Sequence, residues 1–280
     1  MKEDERGRGG EEAAGPVVVG WRYCTGIIDP SPKPATANRL DFDVAAPATA
    51  NSQPARSALR ADVVVRAAPF LLFISVLALA SPLAQLLGQA GVDGRWSYVL
   101  RAVPAGLLML MLWRYYGELV GSLARPAREW GLALATGVAV FVLWIACAAL
   151  GWGFTVSSGF VALTADGGID WPWAIVRVAG AALVVPLMEE LFWRSFVARW
   201  IDTQDFLRLD PALLSSRALL VSSVIFGLEH DLWPAGIAAG LAYGLLYRST
   251  GHLAAPILAH AVTNALLGAW VLHTRAWQLW

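Results

Sequence analysis

The chain has 280 residues, of which 57% are hydrophobic and 15% charged, with no net charge and a mean hydropathy of +0.55. That balance excludes an ordinary soluble domain, and without excess positive charge there is no broad basic surface for nucleic acid. An integral helical membrane protein is the class that fits best, with a very apolar soluble helical protein as the alternative.

Residues 1–60 are rich in Ala, Pro, Gly and charge without a sustained period, which predicts a disordered tail. No apolar stretch follows the charged start, so a signal peptide is not expected. A start codon assigned too far upstream would produce such a stretch, with the true start near Arg56. The mass of the intact native protein tests that hypothesis.

The apolar runs then predict an all-α, polytopic transmembrane bundle of about seven spans, near 67–88, 97–116, 130–152, 172–198, 217–230, 233–248 and 252–272. Residues 61–169 form an N-terminal group of helices, 170–273 a second group, and 274–280 a short tail. The fifth and sixth runs are short and separated by HDLWP, where Pro234 breaks the helix. Short broken helices at membrane depth are tolerated where they line a cavity or lie inside protein, and the two runs could equally form one re-entrant hairpin.

Tryptophans near span ends (Trp96, Trp113, Trp130, Trp152, Trp171, Trp173 and Trp233) are the expected aromatic belt. Arginines favour one side. Arg56, Arg60 and Arg66 precede span one, Arg114, Arg125 and Arg128 follow span two, Arg199, Arg208 and Arg217 follow span four, and Arg248 follows span six. The N-terminus is therefore expected in the cytoplasm. Cys24 and Cys147 are far apart, one in the tail and one in a span, so no structural disulfide is expected.

An ionisable group within a span usually has a partner or a function. In PLMEELFWRS, Glu190 and Arg194 are four apart with the acid first, the favourable order for a helical pair. Glu189 points about 100° away and is left unpaired beside Phe192 and Trp193. Such a carboxylate can act as general base or acid, although a structural ion pair with one spare acid fits the same residues. In FGLEH, Phe226 and His230 share a face, and an imidazole there is as readily a core residue as a catalyst.

In HAVTN, His260 and Asn264 share another face and offer an imidazole and an amide to a polarised oxygen, or serve as interhelical hydrogen-bonding glue. Gly251 ends one helix and starts the next in a tight turn, His252 decorates that turn, and His273 is interfacial. Together these residues suit peptide hydrolysis: Glu189 as base, His230 to hold the water, and His260 with Asn264 for the oxyanion. No GxSxG or HExxH occurs. No cofactor is expected, but Glu189, His230 and His260 carry the oxygen and nitrogen donors that a divalent metal would need.

The ordered motifs EELFWR, FGLEH and HAVTN, with the segment GLAYGLLYRSTGHLAAPILAHAVTN, resemble the CPBP intramembrane proteases, the family of the Rce1-type CAAX prenyl proteases. The resemblance covers about residues 170–272 and implies an Rce1-like core in a membrane-embedded, glutamate-dependent endopeptidase. It assigns Glu189 as base, His230 to the water, and His260 and Asn264 to the oxyanion, with Glu190, Arg194 and Phe226 in support. It further implies a membrane-associated protein or peptide substrate, a bacterial inner-membrane location, and a link to an exosortase-type sorting system or a bacteriocin system. Two other functions fit the sequence: a non-catalytic scaffold or immunity protein retaining the site, and a proton or ion transporter. A transporter should show paired broken repeats, and none is convincing between the two halves.

Overall fold

The computed structural model describes residues 53–120, 125–153 and 160–280, with side chains from Ala61 onward. Each predicted apolar run contains a helix: α1 (Gln53–Ala78), α2 (Ala80–Gln89), α3 (Trp96–Met111), α4 (Ala127–Ala149), α5 (Trp171–Ala179), α6 (Val185–Glu190), α7 (Arg199–Asp202), α8 (Ser216–Leu228), α9 (Trp233–Thr250) and α10 (Ala254–Thr274). Among the described residues the only β-type pairing is an isolated bridge between Leu163 and Ile169. Of the expected tail, residues 1–52 lie outside the described part, but helix α1 already begins at Gln53.

Among the described residues, three helices are long and apolar enough to cross a membrane by length and composition, namely the Ala61–Ala78 part of α1, α4 and α10, while α3 and α8 are shorter apolar helices. Large apolar side chains such as Leu71, Leu107, Leu110, Val142, Leu183 and Leu245 face outward. So many would be a liability in water but suit acyl chains. Trp96, Trp113, Trp152, Trp171 and Trp233 are exposed at helix ends, as an interfacial belt requires.

The first span differs from expectation. The run near 67–88 is two helices that break at Leu79 (φ −97°, ψ 6°). Pro82 explains the break, because it has no N–H for the Ala78 carbonyl and disfavours helical geometry in the residue before it. Pro234 acts as expected between α8 and α9, but from inside α9, where it occupies the first turn and needs no hydrogen-bond partner.

Helix α5, a π-wound stretch at Gly180–Val184, α6, a second π-wound stretch at Leu191–Ala198, and α7 run on without interruption. This composite helix packs against α1, α3, α8 and α10. Its Glu189, Glu190, Arg194, Ser195 and Arg199 are buried against protein rather than facing lipid. The short α8 and α9 stay together because glycines admit close backbone approach: a Cβ on Gly240 would come within 2.9 Å of the Ser223 backbone. Gly240→Val is therefore expected to part the two helices and lower the melting temperature by several degrees, which a thermal unfolding curve in detergent reads directly.

Gly251 ends α9 in the left-handed region (φ 72°), with its N–H bonded to the Tyr247 carbonyl at 2.9 Å, as the turn requires. His252 is more than turn decoration. It is buried, its Nε2 lies 3.0 Å from Glu129 Oε2, and its ring meets Trp130, so it pins the α9–α10 turn to the first turn of α4. That partner is more than a hundred residues away in sequence, beyond the reach of a local reading. His273 is exposed. Cys147 is a buried free thiol, and Cys24 lies outside the described residues.

Candidate active site

The site is built on the composite helix. Pro186 has no N–H to offer, so carbonyls one turn back lose their usual partner and the helix winds wide over Gly180–Val184. One freed carbonyl, that of Ala181, accepts a hydrogen bond from Asn264 Nδ2 at 2.8 Å. That bond fixes the amide of α10 beside the glutamates and leaves its second N–H unspent.

Glu190 is fully buried. Its Oε2 pairs with Arg194 Nε at 3.0 Å, as the four-residue spacing predicts, although the stretch after Glu190 is π-wound. Its other oxygen, Oε1, lies 3.0 Å from His260 Nδ1. Glu190 therefore orients the imidazole of His260 as well as neutralising Arg194, a second role that the sequence did not disclose. Arg194 also donates to the Gly240 carbonyl at 3.2 Å, and its guanidinium lies 4.5 Å from the Phe226 ring centroid and 5.5 Å from that of Tyr243. Phe226 thus supports both Arg194 and His230, whose rings are 4.8 Å apart in the latter case.

Glu189 faces the other way, as expected. Its Oε2 is buried without a hydrogen-bond partner and stands 3.9 Å from His260 Nε2. His260 thus lies between the two carboxylates, stacked on Tyr243 with ring centroids 5.0 Å apart. Tyr243 donates to Thr263 Oγ1 at 2.7 Å, and Thr263 donates on to the Gly137 carbonyl at 2.9 Å, which locks α10 against α4 and α9.

His230 lies just past the end of α8 rather than within it. Its Nδ1 is 2.8 Å from the Phe226 carbonyl, which can only accept, so Nδ1 carries the hydrogen and Nε2 is left as an acceptor.

Glu189, His230, His260 and Asn264 all line one cavity of about 800 Å³. The cavity reaches the end of the bundle where α1, α4, α8 and α10 finish, and is bounded there by Leu77, Trp152, Asp231 and Trp280. Two further lining residues, Arg101 and Arg177, were not singled out from the sequence. Their guanidinium carbons lie 4.9 and 4.6 Å from the Tyr98 ring centroid, and the Nε of each is buried without a hydrogen-bond partner. The signal for them was present: each is an arginine set inside an apolar run. Among the described residues no group of three His, Cys, Asp or Glu side chains is arranged to hold a metal ion.

Residues 171–266 match the family model described as type II CAAX prenyl endopeptidase Rce1-like, and the match takes in all seven residues expected to make or support the site. No curated protein and no solved structure matches the chain.

Proposed function

We propose, from the match of residues 171–266 to the Rce1-like family model, that the protein is a membrane-embedded endopeptidase that hydrolyses a peptide bond of a membrane-associated protein or peptide, with Glu189 as general base. The observation that carries this reading is the single cavity shared by Glu189, His230, His260 and Asn264. Glu189 takes a proton from water, which His230 holds through its free Nε2. The hydroxide adds to the scissile carbonyl carbon. The resulting oxyanion accepts from the second N–H of Asn264 and from Nε2 of His260. Since Nδ1 of His260 already serves Glu190, that second donation uses the imidazolium form. Glu189 returns its proton to the leaving nitrogen as the intermediate collapses to a new carboxyl and a new amine. No cofactor enters these steps.

His260→Ala and Asn264→Ala should each lower the cleavage rate by roughly 10²–10³-fold. The test is a fluorogenic membrane-anchored peptide presented to purified protein in liposomes. The same assay with EDTA or phenanthroline should show little change, whereas strong inhibition reversed by zinc would make Glu189, His230 and His260 metal ligands.

The orientation we propose places the N-terminus in the cytoplasm of a bacterial cell, with the protein in the inner membrane. The support is the arginine asymmetry: Arg114, Arg125, Arg128, Arg199, Arg208, Arg217 and Arg248 lie at one end of the bundle, and Arg95, Arg101, Arg177 and Arg275 at the other. The cavity mouth is at the arginine-poor end. Substrate is therefore met on the non-cytoplasmic side. In a Cys24→Ser background, a cysteine placed at Gln278 should react with a membrane-impermeant maleimide added to intact spheroplasts, and labelling only after lysis would reverse the orientation.

A further inference from the structure

A second cavity, of about 750 Å³, lies at the arginine-rich end of the bundle. Among the described residues, five arginines line it, Arg66, Arg114, Arg125, Arg199 and Arg208, against two carboxylates, Glu118 and Asp210. Both carboxylates are already engaged. Glu118 accepts from Arg66 Nε and Nη2, each at 2.7 Å, and from the Ser195 hydroxyl. Burial works against its charge, but the Arg66 hydrogen bonds and charge, with the Ser195 hydroxyl, outweigh burial and hold the carboxyl below its ordinary value. Asp210 accepts the Ala212 N–H at 2.9 Å and caps the short turn after it.

Arg199 is the residue left over. It is only 4% exposed. Its Nε is buried without a hydrogen-bond partner, and Nη1 has only a long contact of 3.4 Å to the Tyr247 hydroxyl. Among the described residues Arg199 has no ion-pair partner; a buried guanidinium left so is costly, and anions with tetrahedral oxygens match its fork of donors. His252, 3% exposed, lines the same cavity and keeps a buried Nδ1 without a partner. Burial holds this imidazole below its ordinary value despite the bond to Glu129, and the charge of Arg125 acts in the same sense. With Nε2 facing a carboxylate, Nδ1 is an acceptor, suited to a hydroxyl.

We propose that this cavity binds the phosphate of an anionic phospholipid headgroup, with Arg199 at its base, Arg114 and Arg125 at its rim, and His252 accepting from a headgroup hydroxyl. The position suits that ligand, since basic pockets between helices at the cytoplasmic end of a bundle meet the headgroups of the anionic leaflet. Arg199 follows Glu189 and Glu190 on the composite helix, and Gly251 to Leu253 precede α10, which carries His260. A bound headgroup would therefore tie together the two elements that hold the candidate active site.

The experiment uses the purified full chain in neutral detergent and reads melting temperature, so its outcome does not depend on the endopeptidase reading. Short-chain phosphatidylglycerol, short-chain phosphatidylcholine, and inorganic phosphate against sodium chloride of equal ionic strength are added in separate arms. Phosphatidylglycerol should raise the melting temperature by about 3–6 °C, and phosphatidylcholine should not. The Arg114→Gln/Arg125→Gln double variant, altered only at exposed rim positions, should fold and lose most of the rise. Arg199→Gln should lose it entirely. An equal rise in the wild type and the rim variant, or equal effects of the two lipids, would overturn the proposal. A full rise with inorganic phosphate alone would keep the anion site and reject the lipid as its source.

Discussion

Glu189→Gln is expected to abolish cleavage while leaving the fold intact. The substitution keeps the shape of the side chain and removes its capacity to take a proton. Proton transfer by a positioned base contributes roughly 10²–10⁴-fold, and loss of water positioning adds to that. Stability should barely change, because Glu189 Oε2 makes no hydrogen bond and stands 3.9 Å from His260 Nε2, beyond hydrogen-bond reach. Cleavage rate and melting temperature measured on the same preparation separate the two effects. Full activity in this variant would reject Glu189 as the base, and no cleavage by either protein would favour a non-catalytic scaffold.

Glu190→Gln should behave in the opposite way, with stability lost first. Arg194, buried and paired to Glu190 at 3.0 Å, would be left as an uncompensated charge between the Phe226 and Tyr243 rings. Breaking a buried pair on one side costs about 3–5 kcal/mol. His260 would also lose the carboxylate that orients its Nδ1. Poor expression and a sharply lowered melting temperature are the expected results. A double variant, Glu190→Gln with Arg194→Met, removes the orphaned charge and should recover much of the stability, but not the activity, since His260 remains without its holder. A well-folded Glu190→Gln single variant of normal stability and no activity would instead place Glu190 among the groups that act on substrate.

The contrast between these neighbouring glutamates was legible in the sequence because it depends on local spacing. Glu190 and Arg194 are one turn apart, so their pairing and the divergence of Glu189 follow from helical periodicity alone. The three motifs were also enough to name the four cavity residues. What the sequence withheld were contacts between distant segments. The bond from Glu190 to His260 spans seventy residues, and that from Asn264 to Ala181 depends on a widened turn that Pro186 sets up. Arg66 was read only as a sign of orientation, yet it is buried and clamps Glu118, 52 residues away. His252 was underestimated for the same reason. The break at Leu79 was legible in principle, because Pro82 was in view, but the continuous apolar run on either side masked it.

The central claim is that water, activated by Glu189, hydrolyses a peptide bond in the cavity between α6, α8 and α10. The most direct measurement is mass spectrometry of a library of membrane-anchored peptides incubated with the liposome-reconstituted protein in heavy-oxygen water. The account predicts fragments whose new carboxyl carries a single heavy oxygen, formed by the wild type and absent with Glu189→Gln. Fragments appearing equally with both proteins, or with neither, would contradict it.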